Sequence, residues 1–333
     1  MKSSSPLRPA IRLLLAAALW LGHSAGAAGE AYDPLALAPG AAPETADLTI
    51  RDARRQRDIP VRVYLPRATS PAPVVLFSHG LGGSREFGRY LGEHWAGRGY
   101  AAVFLQHPGS DESVWKGARK RQRMQAMQEA ANAQNLLLRA GDVTAALDQL
   151  ERWNAERGHK LAGRLDLARV GMSGHSFGAI TTQAVCGQKM GGSARLADRR
   201  ISAAVIFSPS SPRQGSPQQA FSGIAMPWLL MTGTEDVAPI GGIDLASRLA
   251  VYPALPPGGK YELVLDGATH SAFTDRPRPG SGGSPNPNHH RAILALSTAF
   301  WDAYLRGDSR AKDWLHGAGP KSVLEPRDRW QMK

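Results

Sequence analysis

The stretch that most limits what this chain can become is Arg169-Val170-Gly171-Met172-Ser173-Gly174-His175-Ser176-Phe177-Gly178. It reads as a short buried strand running into Gly174-His175-Ser176-Phe177-Gly178, and then into Ala179-Ile180-Thr181-Thr182-Gln183-Ala184-Val185, which suits a helix. A serine held on so sharp a strand-to-helix turn takes up strained backbone angles. A side chain two positions to either side would collide with the neighbouring strand or helix, which is why glycine stands there. The helix aims its free N–H groups and positive dipole end at the serine, where negative charge would be stabilised. In a chain with 36 glycines the pentapeptide alone is a modest signal. The strand before it and the helix after it make it a strong one.

The N-terminus reads as a secretory signal peptide. A basic start (Lys2, Arg8, Arg12) precedes the apolar run Leu13 to Leu21 and the small-residue site Ala25-Gly26-Ala27. The apolar run is too short for a membrane span, which takes about 20 residues. Cleavage after residue 27 is therefore expected, and with it a secreted or periplasmic protein. About 300 residues would remain, enough for a single large domain. The formal charge of +12 falls to +9 once those three cations leave. A basic surface of that kind allows loose association with anionic surfaces. The charge is spread along the chain, and no nucleic-acid motif accompanies it. Cys186 is the one cysteine, so no intrachain disulfide can form.

Residues 28–45, rich in Ala, Gly and Pro, read as a flexible leader. Leu48-Thr49-Ile50 and Ile59 to Leu65 alternate as an antiparallel hairpin would. Val74-Val75-Leu76-Phe77, Tyr100 to Leu105, Ile201 to Phe207, Pro227 to Gly233 and Tyr261 to Leu265 are buried strands of the parallel type. Helices are expected at Arg85 to Arg98, Val143 to Trp153 (capped by Asp142), Ile243 to Ala250 and His290 to Leu305. The rhythm predicts an α/β protein with a doubly wound, mostly parallel sheet. Residues 112–140 interrupt it as a helical insertion. They are strongly basic at first (Lys116, Arg119, Lys120, Arg121, Arg123) and are either a lid or an exposed amphipathic helix. Residues 46–306 make the domain, 276–288 a long Pro- and Gly-rich loop, and 307–333 a basic, uninformative tail.

In open α/β sheets chemistry sits beyond the carboxyl ends of the strands. Four such ends carry polar, glycine-flanked loops, at His79-Gly80-Leu81, Ser176, Asp236 and His270. A serine hydroxyl attacks only if a base takes its proton, and His270 can do so near neutral pH. A buried carboxylate, expected at Asp236, would fix the imidazole tautomer. Glu235 and Asp266 compete for that role, although Asp266 is awkwardly close to His270 in sequence. Backbone N–H groups of Leu81 and Phe177 would form an oxyanion hole. His79 is expected to brace the Leu81 loop. His107 and His175 look structural, and the adjacent His289 and His290 diverge, so no metal and no cofactor is expected.

Phe77-Ser78-His79-Gly80-Leu81-Gly82, Gln106-His107-Pro108-Gly109-Ser110-Asp111 and Gly174-His175-Ser176-Phe177-Gly178 together resemble the α/β-hydrolases grouped as predicted dienelactone hydrolases and platelet-activating-factor acetylhydrolase-like esterases. The resemblance covers about residues 47–306. It implies Ser176 as nucleophile, His270 as base, and Leu81 and Phe177 at the oxyanion hole. Two departures narrow it. Dienelactone hydrolases use a cysteine nucleophile, and the acetylhydrolases take their acid from the strand end that here reads Phe207-Ser208-Pro209. An acid one strand later, at Asp236, is similar to the arrangement in cutinase-like polyesterases. The expectation is a secreted serine hydrolase of carboxylic esters, small or lipid-like. The alternatives are acyl transfer or perhydrolysis on the same three residues, and a non-catalytic binding protein of the same fold.

Overall fold

The computed structural model describes residues 1, 31–37, 40, 42–275 and 286–333. The expected signal peptide, apart from Met1, and residues 276–285 of the expected loop lie outside the described residues. From Tyr32 to Lys333 the chain forms one unit. Its sheet has nine strands: β1 (Glu44–Asp52), β2 (Arg57–Leu65), β3 (Ala72–Ser78), β4 (Ala101–Leu105), β5 (Leu165–His175), β6 (Ile201–Phe207), β7 (Trp228–Glu235), β8 (Lys260–Thr269) and β9 (Arg329–Met332). Their spatial order is β1-β2-β4-β3-β5-β6-β7-β8-β9. β3 to β8 run parallel to one another, while β1 and β2 on one side and β9 on the other are joined on by antiparallel pairing. With helices on both faces, this is the α/β-hydrolase fold.

Why the central strands read as unbroken apolar runs follows from where alternate side chains go. In β3, Val74 and Leu76 pack with one core and Val75 and Phe77 with the other; Ile206 and Phe207 of β6 divide in the same way. A strand covered on both faces has no solvent side to mark with polar residues. One core is closed by α4 (Ala133–Ala155) and α5 (Phe177–Val185), together with the short helices α6 (Pro217–Phe221) and, after α7 (Leu245–Leu249), which lies against β7, α8 (Val251–Ala254). The other is closed by α1 (Arg89–Gly97), α9 (Pro287–Leu305) and α10 (Ser309–His316). The insertion contributes α2 (Ser113–Lys116), a 3-10 turn at Lys120–Gln122 and α3 (Arg123–Ala130). No helix among the described residues is long and apolar enough to cross a membrane.

Four expectations change. Asp142 does not cap a helix, because α4 runs unbroken through it and starts ten residues earlier, where the Asn132 side chain accepts from the Asn135 N–H at 2.8 Å. The stripe that α4 buries, Arg139, Asp142, Val143, Ala146, Leu147, Leu150 and Trp153, keeps helical spacing but begins with charged residues. A reading of apolar periodicity therefore starts it too late. The insertion is correspondingly shorter than 112–140, since residues 133–140 belong to this core helix. The tail 307–333 is structured: it forms α10 and then β9, whose Trp330 stacks on Tyr261 at 5.5 Å. Residues 32–36 of the expected leader are tied down. Tyr32 donates to Asp302 at 2.8 Å, His94 donates to the Pro34 carbonyl, and Arg98 donates to the carbonyls of Asp33 and Ala36.

Candidate active site

Ser176 sits where β5 ends and α5 begins, with φ 58° and ψ −114°, a backbone conformation that costs a non-glycine residue energy. The turn persists because its flanks are packed on backbone. A Cβ on Gly174 would lie 2.3 Å from the Gly178 carbonyl oxygen, and one on Gly178 would lie 1.8 Å from the carbonyl oxygen of Ser78. Glycine at both positions is a packing requirement.

The structure brings Ser176, His270 and Asp236 together. His270 Nε2 lies 2.9 Å from Ser176 Oγ, and His270 Nδ1 lies 2.7 Å from Asp236 Oδ1. A carboxylate only accepts, so Nδ1 carries the proton and Nε2 is left to accept from the serine. Asp236 is fully buried; its Oδ2 accepts from Ser208 Oγ at 2.7 Å and Thr232 Oγ1 at 2.8 Å, and Arg248 Nη2 meets Oδ1 at 3.0 Å. Burial alone would raise this carboxyl. The hydrogen bond from His270, the charge of Arg248 and the Ser208 hydroxyl outweigh it and hold the group below its usual range. Asp266 goes elsewhere: it is 38% exposed, with Arg327 at 3.6 Å, and its carbonyl accepts from His289. Glu235 is exposed at the cavity rim.

Several supporting residues carry no signal in the sequence. Arg248 is buried on α7 and also donates to the carbonyls of Asp236, Ser208 and Pro209. Ser208 occupies the strand end where the acetylhydrolase-type acid would stand, and steadies Asp236 from there. Asp275 caps α1 from a distance, its carboxylate accepting from the N–H groups of Gly88, Arg89 and Tyr90 at 2.6 to 3.1 Å. That contact pins the loop carrying His270. His175 donates from Nε2 to the His270 carbonyl at 3.1 Å and is stacked on Phe87. Burial, followed by the neighbouring His270, pushes it well below the usual histidine range, so it stays neutral.

A cavity of about 700 Å³ opens over Ser176 and His270. Met127, Leu136 and Ile180 line it, as do Val237, Ile240 and Ile243. Leu81 and Phe177 also line it, and their backbone N–H groups have no hydrogen-bond partner among the described residues. Such a volume suits a ligand of ordinary small-molecule size. His79 does hold the Leu81 loop, donating from Nδ1 to the Gly80 carbonyl at 2.6 Å while Nε2 accepts from the His107 N–H at 3.1 Å. Cys186, at the end of α5, is buried, and burial pushes its thiol up. Among the described residues no cluster of three His, Cys, Asp or Glu side chains could hold a metal ion.

No family model matches the chain. Over 267 residues, 79% of this chain and 79% of the other, it is 26% identical to Cutinase 2 of Thermobifida cellulosilytica. The chain thus combines an α/β-hydrolase fold with a sequence similar to that of a cutinase.

Proposed function

We propose that this chain is a serine hydrolase of carboxylic esters working through an acyl-enzyme. The observation that carries the reading is the hydrogen-bonded run Ser176–His270–Asp236, at 2.9 and 2.7 Å, on the floor of an open cavity. Ser176 Oγ attacks the ester carbonyl carbon as its proton passes to His270 Nε2. Asp236 balances the imidazolium that forms. The carbonyl oxygen, now negative, is held by the N–H groups of Leu81 and Phe177; one such donor contributes about 3 kcal/mol to lowering a barrier of this kind. His270 returns the proton to the departing alcohol. Water then repeats the cycle on the acyl-enzyme and frees the acid.

An ester as substrate is supported by the likeness to a cutinase. Secretion by way of residues 1–27 belongs to the same reading. The experiment is turnover of short p-nitrophenyl esters by Ser176→Ala, Asp236→Asn and Asp266→Asn. Ser176→Ala is expected to abolish turnover above background. Asp236→Asn should lower kcat by about 10⁴-fold, while Asp266→Asn stays near wild type. Undiminished turnover by Ser176→Ala refutes the assignment.

A further inference from the structure

A second Ser–His–Asp run lies behind the first. Ser78 Oγ is 2.9 Å from His107 Nε2, and His107 Nδ1 is 2.9 Å from Asp142 Oδ2. All three residues are fully buried, so no substrate can reach that serine. Its hydroxyl both donates and accepts. Asp142 accepts from His107 Nδ1–H, so Nε2 accepts from the Ser78 hydroxyl, and the Ser78 oxygen in turn accepts from Arg139 Nη2 at 3.1 Å. Each hydrogen bond points one way.

The charges fix that direction. Burial, and then the charge of Arg139, push His107 down to about 4, so it is neutral near pH 7. Burial works against ionisation of Asp142, yet hydrogen bonds from His107 and Arg57 keep its carboxyl below the usual range. Arg57 meets Asp142 Oδ1 at 2.7 Å and Arg55 meets it at 2.9 Å. With a neutral histidine and an ionised carboxylate, the run has one tautomer and no alternative.

Arg139 is where this run reaches the active site. The buried guanidinium donates to the His79 carbonyl, two residues before Leu81, and to Ser110 Oγ at 3.0 Å. Its Nε donates to Thr181 Oγ1 at 3.0 Å, and its centre lies 4.7 Å from the Phe177 ring. One side chain therefore holds both the Leu81 loop and the first turn of α5. Ser110, through its carbonyl, also accepts from the Gly82 N–H at 2.9 Å, and Gly83 N–H closes onto the Gly80 carbonyl at 3.0 Å.

We propose that Arg139, Ser78, His107 and Asp142 are positioning residues that set the Leu81 and Phe177 N–H groups relative to each other. This rests on the ester-hydrolase reading above. A rigid link matters because donors must sit where the oxyanion will form, and a displacement of about 1 Å can cost about a hundredfold in rate.

The test measures kcat, KM, melting temperature and phenylboronic acid inhibition for wild type, Ser78→Ala and Arg139→Lys. Boronate forms a tetrahedral anion on a serine and so reports on the oxyanion hole directly. The expected result for Ser78→Ala is a kcat lower by about ten- to a hundredfold, with KM within about twofold and boronate affinity falling in parallel. Arg139→Lys, which keeps the charge but not the planar fork, should behave alike; if it does not fold, Ser78→Ala decides. A folded Ser78→Ala with unchanged kcat overturns the proposal. So does a lower kcat with unchanged boronate affinity, since the loss would then arise elsewhere. A wild-type protein that neither hydrolyses esters nor binds boronate brings down the ester reading instead.

Discussion

Replacing Gly178 by alanine tests the physical basis of the Ser176 turn in a single methyl group. The added Cβ would lie 1.8 Å from the Ser78 carbonyl oxygen and 2.8 Å from that of His79, where ordinary contact begins near 3.4 Å. Strand β3 and helix α5 would have to part by about 1.6 Å. Both obstacles are backbone, so no rotamer change relieves them. Overpacking of this kind costs about 3 kcal/mol or more, which for a domain of this size lowers the melting temperature by roughly 6 to 12 °C. The displacement also separates Phe177 from Leu81, and about 1 Å of misplacement is enough for a hundredfold loss. The assay pairs thermal unfolding with p-nitrophenyl ester kinetics. Gly117→Ala serves as control, since no heavy atom lies within 4 Å of its added Cβ. If Gly178→Ala melts within about 1 °C of wild type and keeps kcat/KM within threefold, the packing argument is wrong.

Acid should destabilise the fold in two stages. His79, His107 and His175 are buried and held below the usual 6.5, His107 at about 4. The unfolded chain takes up protons there first, so stability is complete above about pH 6.5 and falls as pH drops toward 4. For His107 alone the span of about 2.5 units is worth about 3 kcal/mol. The lowered carboxyls of Asp142 and Asp236 give up their contribution only below about pH 4. A melting temperature flat from pH 7 to 4.5 would contradict this. Arg248→Gln removes the cation beside a buried carboxylate, costing about 3 to 5 kcal/mol. It should also move the acidic limb of the rate–pH profile upward, because the charge that helps hold the Asp236 carboxyl below its usual range is gone; an unmoved limb counts against that role.

What could be read from the sequence follows from how far apart the interacting residues are. The buried strands and the Ser176 turn are legible because their signals are local: an apolar run, a glycine at a fixed offset, a helix directly after. Ser176, Asp236 and His270 stand out because each ends a strand on the same edge of the sheet. Asp142 looks like a helix cap in the sequence because it is a carboxylate on the buried stripe of α4, answered by Arg57 and His107 from elsewhere in the chain. Strand β9 is only four residues long, and its register with Tyr261 to Val264 is invisible before folding. Arg248 looks like any arginine on a short helix until Asp236 is seen beside it.

The carboxylate of Asp275 answers three N–H groups of a helix begun some 185 residues earlier in the chain. The turn at Ser176 needs its own strand, its own helix, β3 and the Phe207 carbonyl of β6, which accepts from the Ser176 N–H at 3.1 Å. The loop bearing His270 is held by a contact between segments about 185 residues apart, whose closure costs more chain entropy than the local turn. Refolding from denaturant should therefore restore secondary structure first and ester turnover afterwards, with a measurable interval between the two. Assembly of the reactive groups becomes a kinetic event in its own right.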